Sequence, residues 1–152
     1  MDDLRQFRRT HLGRALARAR WAFEAQFERR IRDRGFADFH QSDIDVIGRL
    51  PSDRGARLTE LAARAPTSKQ AVSKLVHGLE ARGYVARHPD PEDGRAQRIV
   101  LSDRGRALLE AAVEVVAEIE AEWAAVLGAP ELEQIRRALL RAADAIAGDD
   151  YL

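Results

Sequence analysis

Apolar residues recur every three to five positions from the start of the chain. Leu4, Phe7, Leu12, Leu16, Ala19, Phe23, Phe27 and Ile31 form one stripe, which predicts a long helix over residues 4–34, stopped by Gly35. Ser42 is placed to cap a short second helix carrying Ile44, Ile47 and Leu50, with Asp43 and Asp45 in its first turn and Pro51 beyond it. A third helix over residues 58–65 ends where Pro66 disfavours a helical conformation for the residue before it. The next helix, over residues 67–82, is the most legible: Val72, Leu75, Val76 and Leu79 stand at i, i+3, i+4 and i+7 and face a core, leaving Gln70, Ser73, Lys74 and His77 on the other side. Thr67 with Gln70 would make a capping box at its start, whereas Ser68 alone would make a simpler cap.

After Gly83, residues 84–88 have the β-branched and aromatic content of a strand, and residues 99–101 read as its partner. The stretch between them, Pro89-Asp90-Pro91-Glu92-Asp93-Gly94-Arg95, is rich in turn formers and makes the tip of a hairpin. Ser102 then opens a long helix through Leu108, Val115, Ile119, Trp123 and Val126, up to Gly128. Pro130 suits the first turn of a last helix bearing Leu132, Ile135, Leu139, Leu140 and Ile146, and residues 148–152 look frayed. The expected fold is mostly α with a small β-hairpin wing: a winged helix-turn-helix of six helices, forming one compact unit. Its expected parts are an N-terminal dimerisation helix (1–36), a winged domain (42–106) and C-terminal dimerisation helices (107–147).

Composition narrows the chemistry. Hydrophobic residues make up 45% of the chain, enough for a real core, and the absence of cysteine removes disulfides, thiolate metal sites and thiol redox sensing. The first residues carry charge and no apolar signal core, and no run of about 18 apolar residues occurs, so a cytoplasmic protein without a membrane partner is expected. A net charge of zero argues against a polyanionic partner until its distribution is considered. Residues 1–36 carry +5, 37–48 carry −3, 49–106 carry +5 and 107–152 carry −7. A polyanion would therefore meet the basic middle of the chain while the acidic C-terminal helices face away.

The outer face of residues 67–82 has the residue types that read a major groove. Gln70 can bond an adenine edge, Lys69 and Lys74 can reach guanine or phosphate, and Ser68 and Ser73 can donate to phosphate oxygens. The same residues would serve equally as a solvated helix face. The hairpin favours the first reading, because Asp93 can brace the loop while Arg95 extends toward the narrow minor groove flanking the helix.

Four stretches carry a resemblance: Arg57-Leu58-Thr59-Glu60-Leu61-Ala62, Ser68-Lys69-Gln70-Ala71-Val72-Ser73-Lys74-Leu75-Val76, Leu79-Glu80-Ala81-Arg82-Gly83-Tyr84-Val85 and Asp90-Pro91-Glu92-Asp93-Gly94-Arg95. Together they look like the MarR family. The hairpin is the strongest piece, with Asp93, Arg95, Ile99, Leu101, Ser102 and Gly105 on the family pattern. Gly94, where many relatives carry Arg, and Pro66-Thr67, where Gly and an aliphatic residue are common, depart from it. The resemblance implies a homodimer that binds a pseudopalindromic operator in double-stranded DNA, most often as a repressor, and answers to a small-molecule effector.

The residues themselves also point to a dimer, because the first, fifth and sixth helices carry more apolar surface than a winged domain of about 60 residues can cover. Two copies would set two recognition helices about 34 Å apart, or a multiple of that, on an inverted repeat. A protein-interaction or dimerisation module without a DNA target is the alternative. His11, His40, His77 and His88 fall in no metal or triad spacing. His40 with Asp43 and Asp45 could hold a cation, but acidic groups at a helix start serve the helix dipole without one. No enzyme, metal or cofactor is therefore expected. Trp21, Tyr84 and Trp123 could line a ligand cavity, although aromatics at helical spacing more often form core.

Overall fold

A computed structural model describes residues 11–51, 54–65 and 68–147, the side chains of Asp45, Arg64 and Ala147 excepted. Helix α1 (Leu12–Asp33) starts at His11, whose Nδ1 accepts the Arg14 N–H at 3.1 Å. The part of this helix expected over residues 4–10 lies outside the described residues. Phe27 and Ile31 are buried, Phe23 is half-buried, and Arg30 crosses to Glu122 (2.6 Å) and Glu118 (3.3 Å) on the long helix opposite. Among the described residues the apolar stripe therefore finds cover within the chain only toward the C-terminal end of α1. Leu12, Leu16 and Trp21 are exposed, so Trp21 is neither core nor cavity lining in the single chain.

Ser42 does not cap a helix. It lies inside a 3₁₀ turn (Gln41–Asp43) that leads into one short turn of helix, α2 (Ile44–Ile47). The reason is the Asp43 side chain, which turns back to accept the His40 N–H at 2.8 Å and so tightens the entry into a 3₁₀ turn. Strand β1 (Ala56–Arg57) was not foreseen, being too short to show a period. Helix α3 (Leu58–Arg64) follows directly, with the Glu60 carboxylate accepting the Arg57 N–H at 3.0 Å.

Helix α4 (Lys69–Ala81) is capped by Ser68, whose hydroxyl accepts the Ala71 N–H at 3.3 Å. Thr67, the other candidate, lies outside the described residues, as does Pro66. At its C-terminus the Gly83 N–H bonds the Glu80 carbonyl (3.0 Å) and the Tyr84 N–H the Leu79 carbonyl (2.9 Å). This closure requires Gly83 at φ 76°, a conformation open to glycine at little cost. Strands β2 (Val85–Pro89) and β3 (Gln97–Leu101) form the hairpin, and β1 adds to β3 in the antiparallel order β1-β3-β2, with Ala56 opposite Ile99 and Val85 opposite Leu101.

Ser102 caps helix α5 (Asp103–Leu127) by accepting the Gly105 N–H at 3.0 Å, and α6 (Ala129–Ala147) returns after Gly128. One core joins Phe27 and Ile31 of α1, Val46 and Ile47 of α2, Leu61 of α3, Val72, Val76 and Leu79 of α4, Ile99 and Leu101 of β3, and Leu108, Val115 and Ile119 of α5. Helix α6 has no buried side chain among the described residues, although its apolar positions keep helical spacing. The α3–α4 pair followed by the β2–β3 hairpin is a winged helix-turn-helix in a mostly helical chain.

Candidate nucleic-acid interface

Burial of Val72, Val76 and Leu79 fixes the rotation of α4 and turns Lys69, Gln70, Lys74 and His77 outward. All four are exposed, whereas Ser73 is half-buried and Ser68 is exposed with its hydroxyl engaged in the cap. The expected outer face is thus present, with Ser73 lower on its flank than the sequence suggests. Among the described residues neither Lys69 nor Lys74 has a carboxylate partner, so both charges remain available to a polyanion.

The wing tip is built as the sequence implies, through the backbone. Asp93 accepts the Arg95 N–H on its carboxylate (3.1 Å), and its own carbonyl accepts the Ala96 N–H (2.8 Å). The Arg95 side chain is exposed, and its guanidinium has no acidic partner among the described residues. Asp93 therefore braces the turn without neutralising the arginine it presents.

Asp90 is the residue that sequence reasoning passed over as a mere turn former. Its carboxylate is buried at the base of the wing, where Arg57 Nε donates at 2.6 Å and the Glu92 N–H at 2.8 Å. Arg98 Nε lies 3.1 Å away but off the hydrogen-bonding line, contributing charge alone. Asp90 thus ties β1, β3 and the wing loop together, pairing with Arg57 and Arg98 at the base of the wing, while Arg95 stands exposed at its tip. The Arg57 guanidinium, then the Glu92 N–H, hold the Asp90 carboxyl down from 3.8 to about 2.

A carboxyl lowered in the folded state stabilises the fold while ionised, so its contribution is complete above about pH 4 and is lost as pH falls toward about 2. Asp90→Asn should accordingly melt below the wild type at neutral pH, and the gap should close between about pH 4 and 2. A gap that stays constant across that range would remove Asp90 from this role.

A second polar knot anchors the C-terminal end of α4. Arg82 forks onto Asp43 (Nη1–Oδ2 2.6 Å, Nη2–Oδ1 2.8 Å), reaches the Asp38 carbonyl at 2.6 Å and bonds the Gly78 carbonyl through Nε at 2.9 Å. Tyr84 donates to Asp38 at 2.6 Å, Arg104 donates to the same oxygen at 2.8 Å, and the Arg104 guanidinium lies 4.4 Å from the Tyr84 ring centroid. Burial, followed by the hydrogen bond to Asp38, pushes the Tyr84 hydroxyl up to about 12, so it remains a donor at any physiological pH. Asp43, considered as a cation ligand with His40 and Asp45, is thus committed to Arg82 and to the His40 backbone. Among the described residues no group of three His, Cys, Asp or Glu could hold a metal ion.

Next to this knot, α1, α2 and α5 line a half-open apolar pocket of about 250 Å³ walled by Phe23, Phe27, Phe39, Ile47, Leu108 and Ala112 among others. Tyr84 is core, packed edge-on to Phe39 at 6.1 Å, and lies outside that lining. Trp123 meets Phe23 edge-on at 6.3 Å beside a separate cleft with Gln26 and Val126.

Comparison with known proteins agrees with this geometry. The sequence model of the MarR family matches residues 44–96, which run from α2 to the wing tip. The HTH-type transcriptional repressor Rv2887 of Mycobacterium tuberculosis is 36% identical over 90 residues, a match covering 59% of this chain and 65% of that protein, just under two thirds of its length. Among solved structures, the transcriptional repressor CouR bound to a 23-mer DNA duplex superposes with a TM-score of 0.69 at 28% identity, covering 90% of this chain and 92% of that one. The Mycobacterium tuberculosis MarR family protein Rv2887 in complex with salicylic acid superposes with a TM-score of 0.64 at 28% identity, covering 88% and 96%. With the wing and its preceding helices matched in sequence and nearly the whole chain matched in fold, the chain resembles the MarR family.

Proposed function

We propose that this chain is a sequence-specific regulator of transcription that binds an inverted-repeat operator in duplex DNA as a homodimer, acting as a repressor in the cytoplasm. The observation that carries the reading is a pair of unneutralised cationic surfaces on one winged helix-turn-helix: Lys69 and Lys74 beside Gln70 on α4, and Arg95 at the wing tip. In this reading Ser68, Lys69, Gln70, Ser73 and Lys74 work in the major groove, and Arg95, on a loop braced by Asp93, enters the minor groove. The similar structure of the repressor CouR bound to a 23-mer DNA duplex supports it.

Homodimerisation is supported by apolar surface that the single chain leaves uncovered. Leu12 is 71% exposed, Trp21 72%, Val126 84% and Ile146 86%, with Leu139 and Leu140 also exposed on α6. Such a surface on the two ends of the chain fits burial against a second copy. No helix among the described residues is long and apolar enough to cross a membrane, so a bilayer-spanning use of these helices is not available. The pocket between α1, α2 and α5 offers a place for a small effector, and the complex of the similar Rv2887 with salicylic acid supports a response to small molecules.

Selection of bound sequences from a random duplex pool with the purified protein tests the proposal. It should return an inverted repeat with half-sites one helical turn, or a multiple of it, apart. On the selected duplex, Gln70→Ala should cost roughly 1–3 kcal/mol per half-site and relax preference at one base pair in each half-site, while Arg95→Ala should weaken binding on every sequence without changing the preferred base. If both variants behave alike on all sequences, the assigned division of roles is wrong.

A further inference from the structure

Helix α4 has two flanks, and only one of them belongs to the wing. Glu80 lies on the wing side, where its carboxylate accepts Arg87 Nε of β2 at 3.0 Å, and half-buried Ser73, seven positions earlier, shares that flank. The opposite flank meets the turn before α2 instead. There an open groove of about 550 Å³ runs between α4 and that turn, with His40 and Ser42 on one side and Lys74 on the other.

The groove has the chemistry of a seat for an anion with several acceptor oxygens. His40 brings a ring N–H, Ser42 a hydroxyl and Lys74 an ammonium group, and all three residues are exposed. Asp43, the acid among the lining residues, does not oppose an anion, because both its oxygens are held by the Arg82 fork and the pair is neutral. Ala71 and Gly78 on the helix wall carry no side chain long enough to fill the space. Lys74 also belongs to the outward face of α4 beside Gln70, so the groove is continuous with the surface assigned to the major groove.

Duplex DNA supplies a phosphate at the place required. A helix with its side chains is about 10–12 Å across and the major groove about 12 Å wide, so a helix lying in it has a sugar-phosphate backbone along each flank. We propose that His40, Ser42 and Lys74 clamp a backbone phosphate on the side of α4 away from the wing, so that each half-site is gripped from both walls of the major groove. Such a contact carries no base information; it sets the angle and depth at which α4 presents Gln70. His40 and Ser42 precede the segment matched by the MarR sequence model, residues 44–96, so that match does not supply the contact. The clamp rests on the reading of the chain as a duplex DNA binder and adds a second backbone contact to it.

The test uses the full-length protein and the selected duplex, prepared as a series in which one phosphate at a time in each half-site is replaced by an uncharged methylphosphonate. Two groups of sensitive positions should appear in each half-site, one on the wing side and one across the major groove from it. The double variant His40→Ala/Ser42→Ala should bind the unmodified duplex about 10-fold more weakly per half-site, on every sequence, with the preferred bases unchanged. Its distinguishing behaviour is the loss of the methylphosphonate penalty at the far-wall phosphate alone, while the wing-side penalty stays at its wild-type size. Lys74→Gln should lose the penalty at the same phosphate and make the salt slope of the homodimer about 2 units shallower. Arg95→Ala should show the converse, losing the wing-side penalty only.

Unchanged affinity of His40→Ala/Ser42→Ala would overturn the proposal. So would weaker binding that leaves every methylphosphonate penalty as it was, because His40 and Ser42 would then act through the fold and not through a phosphate. In both cases the DNA reading survives and only the clamp falls, whereas failure of the wild type to select any duplex removes the two together.

Discussion

Gly105→Ala should destabilise the protein by about 3 kcal/mol and lower its melting temperature by roughly 10 °C, with helix content unchanged at low temperature. A methyl group at this position would lie 2.1 Å from the Tyr84 carbonyl oxygen and 3.2 Å from both the Tyr84 carbonyl carbon and Leu101 Cδ2. The main obstacle is backbone, and it cannot swing aside, because the Tyr84 carbonyl also accepts the Ser102 N–H at 3.1 Å and Tyr84 is fully buried. The first turn of α5 must therefore lift away from the end of α4, loosening the capping bonds of Ser102 with it. Thermal melting of the variant beside the wild type checks this, and a loss below about 2 °C would mean that α5 does not approach the wing so closely.

Arg82→Met should cost about 3 kcal/mol, the low end of the range for breaking a buried pair, because Arg82 itself is partly exposed. The loss arises mainly on the other side of the contact. Asp43 is only 1% exposed, and without the guanidinium fork its carboxylate is left buried with the His40 N–H as its one remaining donor among the described residues. Removing both partners in Arg82→Met/Asp43→Leu should therefore recover part of the stability, since no buried charge is stranded. Urea denaturation of the two single variants and the double variant measures the coupling. Strictly additive losses would show that the fork contributes nothing as a pair.

These two contacts also mark where sequence reading ends. The helical period of Val72, Val76 and Leu79 fixes which face of α4 is buried, and the caps Ser68 and Ser102 mark two helix starts, because each is a relation among residues within one turn of each other. Asp43 and Arg82 lie 39 positions apart, and Asp90 and Arg57 lie 33 apart, so nothing local announces either pairing. Ser42 looked like the helix cap because Ser is a common one, and the side chain of the next residue took over the turn.

Periodicity likewise could not tell that Trp21 is left uncovered while Phe27, on the same helix, is buried, because cover depends on where α5 crosses. The outward face of Lys69, Gln70 and Lys74, and the turn that Asp93 makes for Arg95, were both legible. The pairing of Arg57 and Arg98 with Asp90 at the base of the wing was not.

If α4 and the wing grip a polyanion jointly, binding to the selected duplex must depend steeply on salt. Log K should fall linearly with log salt, on the order of 1,000-fold or more between 50 and 200 mM, with a slope about 2 units shallower for the Arg95→Ala homodimer. Binding that ignores salt, or a slope that Arg95→Ala leaves unchanged, would contradict it.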